Sequence, residues 1–522
     1  MMAAEPLPES TGRTPDPCRT IETAGLLAGD LGDEGDRASQ TASEQTRGAI
    51  SRSAVLVGSR ILTWGLAFVM TVMMPRYLGA TSYGRLYLAM SLTGIMSILV
   101  EFGLNSLVAR EVSKHPSDAT RYLINAGMLK AALWVVGCGV LAAVVRIIDY
   151  PEETQLAVAI LAVMVLITCE GTLVAAVLQA NDRMRWIAYS TAAEKLVYVV
   201  LGVVALVSGH GILVISAVAL FSAVVSLSMN LIWFRRMARS VEVSGGWRGV
   251  EVPGLFVRAL PFFSVAFFGA IYFRADVIIM SLFKSDAIVG YYGAAYRLFQ
   301  TTYVVPDALL FALFPLFCRL SAQHENALAV AAQKGLDLLL LLGFPLAAGV
   351  FVLSDEIVYT LYGADYADSV VLLRILAVAI ALMYANGVFV QLLVATERQK
   401  RLAFTAGVSA VLNVSANFVL IPFIGAVGAA LATVMTELIV IVMNFSYLDR
   451  GLTRQLRFGT PARALAAALL MAAVLMALGG KSLLLLIPVG VGVYAAGIVL
   501  FRALPPDDRA MMKAALENMR KS

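Results

Sequence analysis

An all-α integral membrane protein of about fourteen transmembrane helices, built as two six-helix bundles plus two C-terminal helices, is the fold class this sequence predicts. Three observations predict it. Of 522 residues, 60% are hydrophobic and only 14% charged, whereas a soluble domain carries about 25% charged residues; mean hydropathy is +0.81. Apolar stretches of about 20 residues, the length a helix needs to cross a hydrocarbon core, recur from Ile50 almost to the end. Short segments of the first half also return, in the same chemical order, in the second. A water-soluble fold of this size is excluded. The net charge of +5 comes from basic residues in short loops, which read as topology signals and leave no nucleic-acid surface.

Residues 1–48 are rich in Pro, Ser, Thr, Gly and acids, a composition that cannot bury a core and reads as a disordered cytoplasmic tail. Spans are expected near residues 52–74, 85–108, 122–147, 155–179, 186–207 and 211–233, forming a first lobe over 49–234. A basic cytoplasmic linker, 235–253, leads to a second lobe over 254–450 with spans near 255–282, 288–316, 330–353, 369–394, 402–422 and 425–447. Two further helices, near 462–478 and 482–501, fill 451–505, and 506–522 is a short tail. Arg and Lys concentrate in alternate loops, such as Arg183 with Arg185, Arg235 with Arg236, and Arg398 with Arg401. By the positive-inside rule both termini are cytoplasmic.

The repeat is carried by two pairs of segments. Asn181-Asp182-Arg183-Met184-Arg185-Trp186-Ile187-Ala188-Tyr189 enters the fifth span, and Thr396-Glu397-Arg398-Gln399-Lys400-Arg401-Leu402-Ala403-Phe404 enters the eleventh. Tyr83-Gly84 and Val289-Gly290 open the second and eighth. Each pair is six spans apart, an even number, so the copies share one orientation and are parallel repeats about an axis along the membrane normal. Transporters place substrate in the cavity between two such halves.

Ionisable groups at membrane depth are costly and face a bundle interior or a wet cavity. The spans contain five basic residues, Arg60, Lys130, Lys195, Arg274 and Arg297, and six acids, Glu101, Glu170, Glu194, Asp276, Asp307 and Glu437. Arg60, Arg274, Arg297 and Lys130 are the candidate substrate-binding cations, because Arg gives bidentate hydrogen bonds to phosphate oxygens and Lys a point charge. Asp276, Asp307, Glu101 and Glu170 are candidate cavity or coupling acids. An internal ion pair or a side chain snorkelling to the interface is the alternative for each. Glu194 and Lys195 are adjacent, so their Cβ atoms leave the helix on different faces. Pro261, Pro306, Pro315 and Pro345 mark kinks, all in the second lobe. The four cysteines and three histidines are too scattered for a zinc site or a disulfide framework, and no catalytic motif or resident cofactor is expected.

Pro75-Arg76-Tyr77-Leu78-Gly79 with Tyr83-Gly84, Tyr272-Phe273-Arg274-Ala275-Asp276, the run from Val289 to Leu298, Leu313-Phe314-Pro315 and the small-residue stretch 425–430 resemble the polysaccharide translocases, the Wzx-type O-antigen and exopolysaccharide flippases. That family shares a superfamily with MATE multidrug exporters and lipid II flippases. The resemblance covers roughly residues 50–505. It implies a MATE-like fold, a bacterial cytoplasmic-membrane location, and alternating access that moves an undecaprenyl-diphosphate-linked oligosaccharide to the outer leaflet. It also implies possible coupling to a proton or sodium gradient and partners among polysaccharide assembly proteins. A multidrug exporter of the same fold is the rival reading, and a glycan polymerase or ligase a weaker one.

Overall fold

The computed structural model describes the backbone of residues 35–238, 252–323 and 325–503; side chains of residues 35–61 lie outside the description. So do residues 1–34 and 504–522, which hold most of the two expected tails, and the middle of the expected linker. Among the described residues the chain is helical, with no strand. The first lobe contains α1 (Gly35–Glu101), α2 (Leu104–Lys114), α3 (Ala119–Ile147), α4 (Glu152–Ala180), α5 (Met184–Val207) and α6 (Ile212–Ala238). The second contains α7 (Val252–Phe283), α8 (Asp286–Thr301), α9 (Val304–Gln323), α10 (Glu325–Val352), α11 (Ser354–Leu361), α12 (Asp368–Ala395), α13 (Gln399–Ile424) and α14 (Ala426–Ser446). A short α15 (Arg450–Gln455) leads to the hairpin of α16 (Gly459–Ala477) and α17 (Leu483–Leu500).

Twelve helical stretches of the described residues are long and apolar enough to cross a membrane, below the expected number of about fourteen. One of them, Leu62–Lys114, is 53 residues. At 1.5 Å per residue that is ~80 Å, more than twice a hydrocarbon core. Gly79, at φ 74 and ψ 165, turns this long element inside α1, a conformation that suits a residue without Cβ. Helix α1 also starts earlier than expected, at Gly35. Residues 38–46 hold no Pro or Gly, and extending an existing helix avoids the cost of nucleation. Likewise α6 runs to Ala238 and α7 begins at Val252, so both helices enter the expected linker.

The second span of each lobe, expected as one helix, is broken in two. In the first lobe Phe102 (φ 44) and Gly103 (φ 69) separate α1 from α2. In the second, Pro306 falls at the third position of α9, where it cannot donate to the Thr302 carbonyl. Tyr384 on α12 donates to that carbonyl instead, at 2.9 Å. Pro315 and Pro345, in contrast, sit inside helices that run through them.

Packing repeats between lobes. In the first, α4 and α5 pack on α6, and α1 packs on α5; in the second, α12 and α13 pack on α14, and α7 packs on α13. The paired turns recur in backbone detail. Asp182 and Glu397 both stand at φ 57, followed by Arg183 and Arg398, which donate to Leu178 and Leu393 at 3.0 and 2.8 Å. The C-terminal hairpin lies outside the repeat, against α10, where the Tyr494 hydroxyl donates to the Leu341 carbonyl at 2.6 Å.

The lobes meet where α1 crosses α7 and α8. A Cβ on Gly84 would run into the Asp286 backbone, and one on Gly290 into the Ala80 backbone, so the helices touch main chain to main chain. Arg85 donates from Nε to Asp286 across the lobes at 2.8 Å and from a terminal nitrogen to Glu153 at 2.9 Å. Nearby, the Tyr150 and Ser281 hydroxyls lie 2.7 Å apart, and the Tyr366 hydroxyl donates to the Pro75 carbonyl at 2.9 Å. At the other end, eighteen residues or ~27 Å further along the α1 path, the Phe102 ring stacks on Phe256 and Phe263 of α7, with centroids 4.4 and 4.3 Å away. Leu104, Leu107 and Leu129 join Leu255 and Ala259 around that stack.

Candidate functional site

Between these two closures lies a cavity of about 950 Å³, walled by α1, α4, α5 and α6 on one side and α7 and α8 on the other. Its wall is largely apolar, with Met70, Met74, Met90 and Met164 among the contributors, and its charged residues are Glu194, Lys195, Arg274 and Arg297.

Two of the expected site residues are on this wall. Arg274 projects from α7 across to α1, where it donates to the Met90 carbonyl at 3.1 Å. Its guanidinium fills the space a Cβ on Gly94 would take; the glycine admits it. Arg297 projects from α8 towards the phenols of Tyr83, Tyr87 and Tyr198. Neither guanidinium is within salt-bridge distance of a carboxylate of the described residues, and Asp276 acts on Arg274 only from further away. Besides these two guanidiniums, and Glu194 with Lys195, the wall offers phenols, hydroxyls and thioethers. A guanidinium withdrawn from water needs an anion to offset its lost hydration, so the pair forms an anion-accepting surface.

The other expected residues lie elsewhere. Lys130 is fully buried and does not reach the cavity: its ammonium donates to Asn105 and to the Cys169 carbonyl, both at 2.7 Å. Asn105 in turn donates to Glu101 at 2.5 Å. This chain braces the break between α1 and α2, so Lys130 and Glu101 are struts. Glu170 stands on α4 beside Gly127 and is off the cavity wall. Asp307 is in the first turn of α9 and is also off that wall. The Arg60 backbone belongs to α1, and its side chain lies outside the described residues.

Asp276 is 1% exposed and points into the second lobe. It accepts from the Val277 amide at 2.8 Å and from the Tyr292 hydroxyl, and the nearby Thr433 hydroxyl donates to the Ala429 carbonyl at 3.1 Å. The same lobe buries Glu437, bonded by the Tyr272 hydroxyl at 2.6 Å, and Asn417, which donates to Asn413 at 2.9 Å while its own Oδ1 has no partner. Sequence reasoning placed Asp276 and Glu437 at membrane depth but did not join them into this polar seam, whose members are scattered over four helices.

Glu194 and Lys195 correct another expectation. Although adjacent on α5, they pair at 3.1 Å and both line the cavity, because two long side chains reach further than their Cβ directions imply. Among the described residues, groups of three or more His, Cys, Asp or Glu able to hold a metal ion are absent, and Cys138, Cys169 and Cys318 are free thiols.

Comparison with known proteins gives a consistent picture. The family model described as polysaccharide biosynthesis protein matches residues 50–321, and the MatE model matches residues 261–419. The probable low-salt glycan biosynthesis flippase Agl15 of Haloferax volcanii is 25% identical over 438 residues, covering 82% of this chain and 89% of the relative. Among solved structures, an inward closed conformation of the lipid II flippase MurJ superposes with a TM-score of 0.67 at 16% identity, over 87% of this chain and 99% of that one. An inward-facing multidrug resistance MATE transporter gives 0.62 at 13% identity, over 75% and 94%.

Proposed function

We propose a transport function for this chain, which belongs to the polysaccharide biosynthesis protein family and, with that family, to the multidrug/oligosaccharidyl-lipid/polysaccharide (MOP) flippase superfamily: it moves a lipid-linked saccharide across a membrane by alternating access. The observation that carries the proposal is the placement of Arg274 and Arg297, neither in a salt bridge with a described carboxylate, on the wall of a cavity between two repeated lobes. Two guanidiniums offer planar, bidentate hydrogen bonding to phosphate oxygens, and a polyprenyl diphosphate presents two ionised phosphates. In this reading the diphosphate sits between α7 and α8, the saccharide occupies the rest of the cavity, and the prenyl chain stays in the bilayer.

The Gly84 end faces outward and the Phe102 end faces the cytoplasm, an orientation supported by the basic loops at Arg110, Arg183 and Arg236. Transport runs from the cytoplasmic to the outer leaflet of a bacterial cytoplasmic membrane, with undecaprenyl diphosphate as the carrier. Asp276 is the acid we assign to coupling with a proton or sodium gradient, since it is a buried carboxylate bonded by the Tyr292 hydroxyl and off the cavity wall. A drug exporter would favour a cavity with acids and few cations, whereas this wall carries three cations and one carboxylate.

The test is in cells. Arg274→Ala and Arg297→Ala variants that reach the membrane at normal levels accumulate lipid-linked saccharide on the inner leaflet, and Arg→Lys variants transport at an intermediate rate. Normal glycan export by both alanine variants would remove the arginines from the mechanism.

A further inference from the structure

Apart from Arg274 and Arg297, the charge on the cavity wall is internally balanced. Among the described residues it carries three cations and a single carboxylate, and that carboxylate, Glu194, is paired with Lys195 at 3.1 Å. What remains is the two guanidiniums, matching the two negative charges of a diphosphate diester. A further carboxylate brought in on the sugar would find each cation engaged and Glu194 facing it as a like charge.

The hydroxyls of the wall discriminate in the same direction. Ser91, Thr93, Ser97, Ser216 and Ser222 line the cavity, and each donates its proton to a backbone carbonyl of its own helix, at 2.7 or 2.8 Å. With the proton committed, each oxygen has only lone pairs to offer. These five positions suit groups that donate, the hydroxyls and amide N–H of neutral or N-acetylated sugars, while the phenols of Tyr87, Tyr198 and Tyr303 and the Gln300 amide can donate as well as accept. A carboxylate only accepts hydrogen bonds, so it would find no donor at these five hydroxyls.

We infer that Glu194 and this acceptor wall restrict the substrate to saccharides whose negative charge resides on the diphosphate alone, with Glu194 as the specificity-determining residue against acidic sugars. The inference rests on the assignment of the diphosphate to Arg274 and Arg297.

Dissociation constants of the purified chain in nanodiscs test it, with polyprenyl diphosphate-linked N-acetylglucosamine and polyprenyl diphosphate-linked glucuronic acid as the two probes. The wild type binds the neutral probe about tenfold more tightly, the scale of one like-charge contact in a partly desolvated site. Glu194→Gln moves that ratio towards one, and Thr168→Asp, which adds a carboxylate to the same wall, raises it. The second variant decides the matter if the first fails to fold. A ratio near one in the wild type, or one that neither substitution moves, overturns the inference while leaving the diphosphate site standing. Failure of the wild type to bind either probe overturns the diphosphate site, and this inference with it.

Discussion

At the Gly84 end the two lobes touch through main chain and through charge: Gly84 lies on the Asp286 backbone, Gly290 on the Ala80 backbone, and Arg85 bridges Glu153 and Asp286. At the Phe102 end they touch through rings and aliphatic side chains, with Phe102 laid against Phe256 and Phe263. The first closure depends on geometry. Backbones in contact tolerate no added atom, and directional hydrogen bonds register the crossing, but the charged groups rehydrate when the lobes part, so their net contribution is small. The second depends on apolar area, which is lost gradually as rings slide and is insensitive to salt. In the proposed transport cycle the cavity is therefore held by one closure that is steric and one that is adaptable.

Gly84→Val attacks the steric closure where relaxation is least available, and the largest effect is expected there. A branched side chain against the Asp286 carbonyl costs about 3 kcal/mol in the closed state, about a hundredfold in the closed-to-open ratio. In a background without native cysteines, an impermeant thiol reagent applied from the Gly84 side should label a cysteine at residue 168 about a hundredfold faster than in the parent. An unchanged labelling rate would show that the crossing does not seal the cavity.

Phe102→Ala probes the other end and should cost somewhat less, about 2 kcal/mol, because the loss of two ring contacts is partly made good by collapse of the surrounding leucines. Labelling of residue 168 then rises from the Phe102 side only. Phe102→Gly separates ring from backbone: it loses the same contacts but relieves the left-handed conformation at φ 44, recovering about 1 kcal/mol of that strain. If glycine and alanine variants are equally stable, the strain is not there.

The smallest effect belongs to Arg85→Ala, about 1 kcal/mol or less, given side chains about a quarter to a third exposed. It should shrink further in 1 M salt, where screening acts over ~3 Å, while the Phe102→Ala effect stays the same. Equal salt dependence at both ends would erase the distinction between them.

Much of this was legible in the sequence. Hydropathy marks the helices, and the recurrence of acid-Arg in Asp182-Arg183 and Glu397-Arg398 marks a turn that is repeated down to its φ angle. The Gly84 and Gly290 echo was readable as a repeat, but not as a contact, because nothing local says that two equivalent glycines face each other across a pseudo-twofold axis. The break at Phe102 was hidden for a different reason: the segment around it stays apolar, and a left-handed phenylalanine is held by rings on a helix more than 150 residues away in the chain. Lys130 misled because depth in the membrane says that a cation needs partners without saying which. Its partners are an amide and a carbonyl, neither of which shows in a count of charges. Arg274 and Arg297 were identifiable by their depth in apolar spans and by the fit of a guanidinium to phosphate oxygens; the feature that admits Arg274, Gly94, is readable only once α1 and α7 are in contact.

The most direct test of the account is a binding measurement. The dissociation constant of the purified chain for a polyprenyl diphosphate-linked disaccharide is compared with that for the same disaccharide on a polyprenyl monophosphate, in the wild type and in Arg274→Ala and Arg297→Ala. The account predicts that the wild type prefers the diphosphate, and that each substitution weakens diphosphate binding about a hundredfold, as expected for a desolvated charge-assisted contact, and brings the two ligands close together. Equal affinity of the wild type for both ligands, or full diphosphate affinity in variants that remain folded, would contradict it.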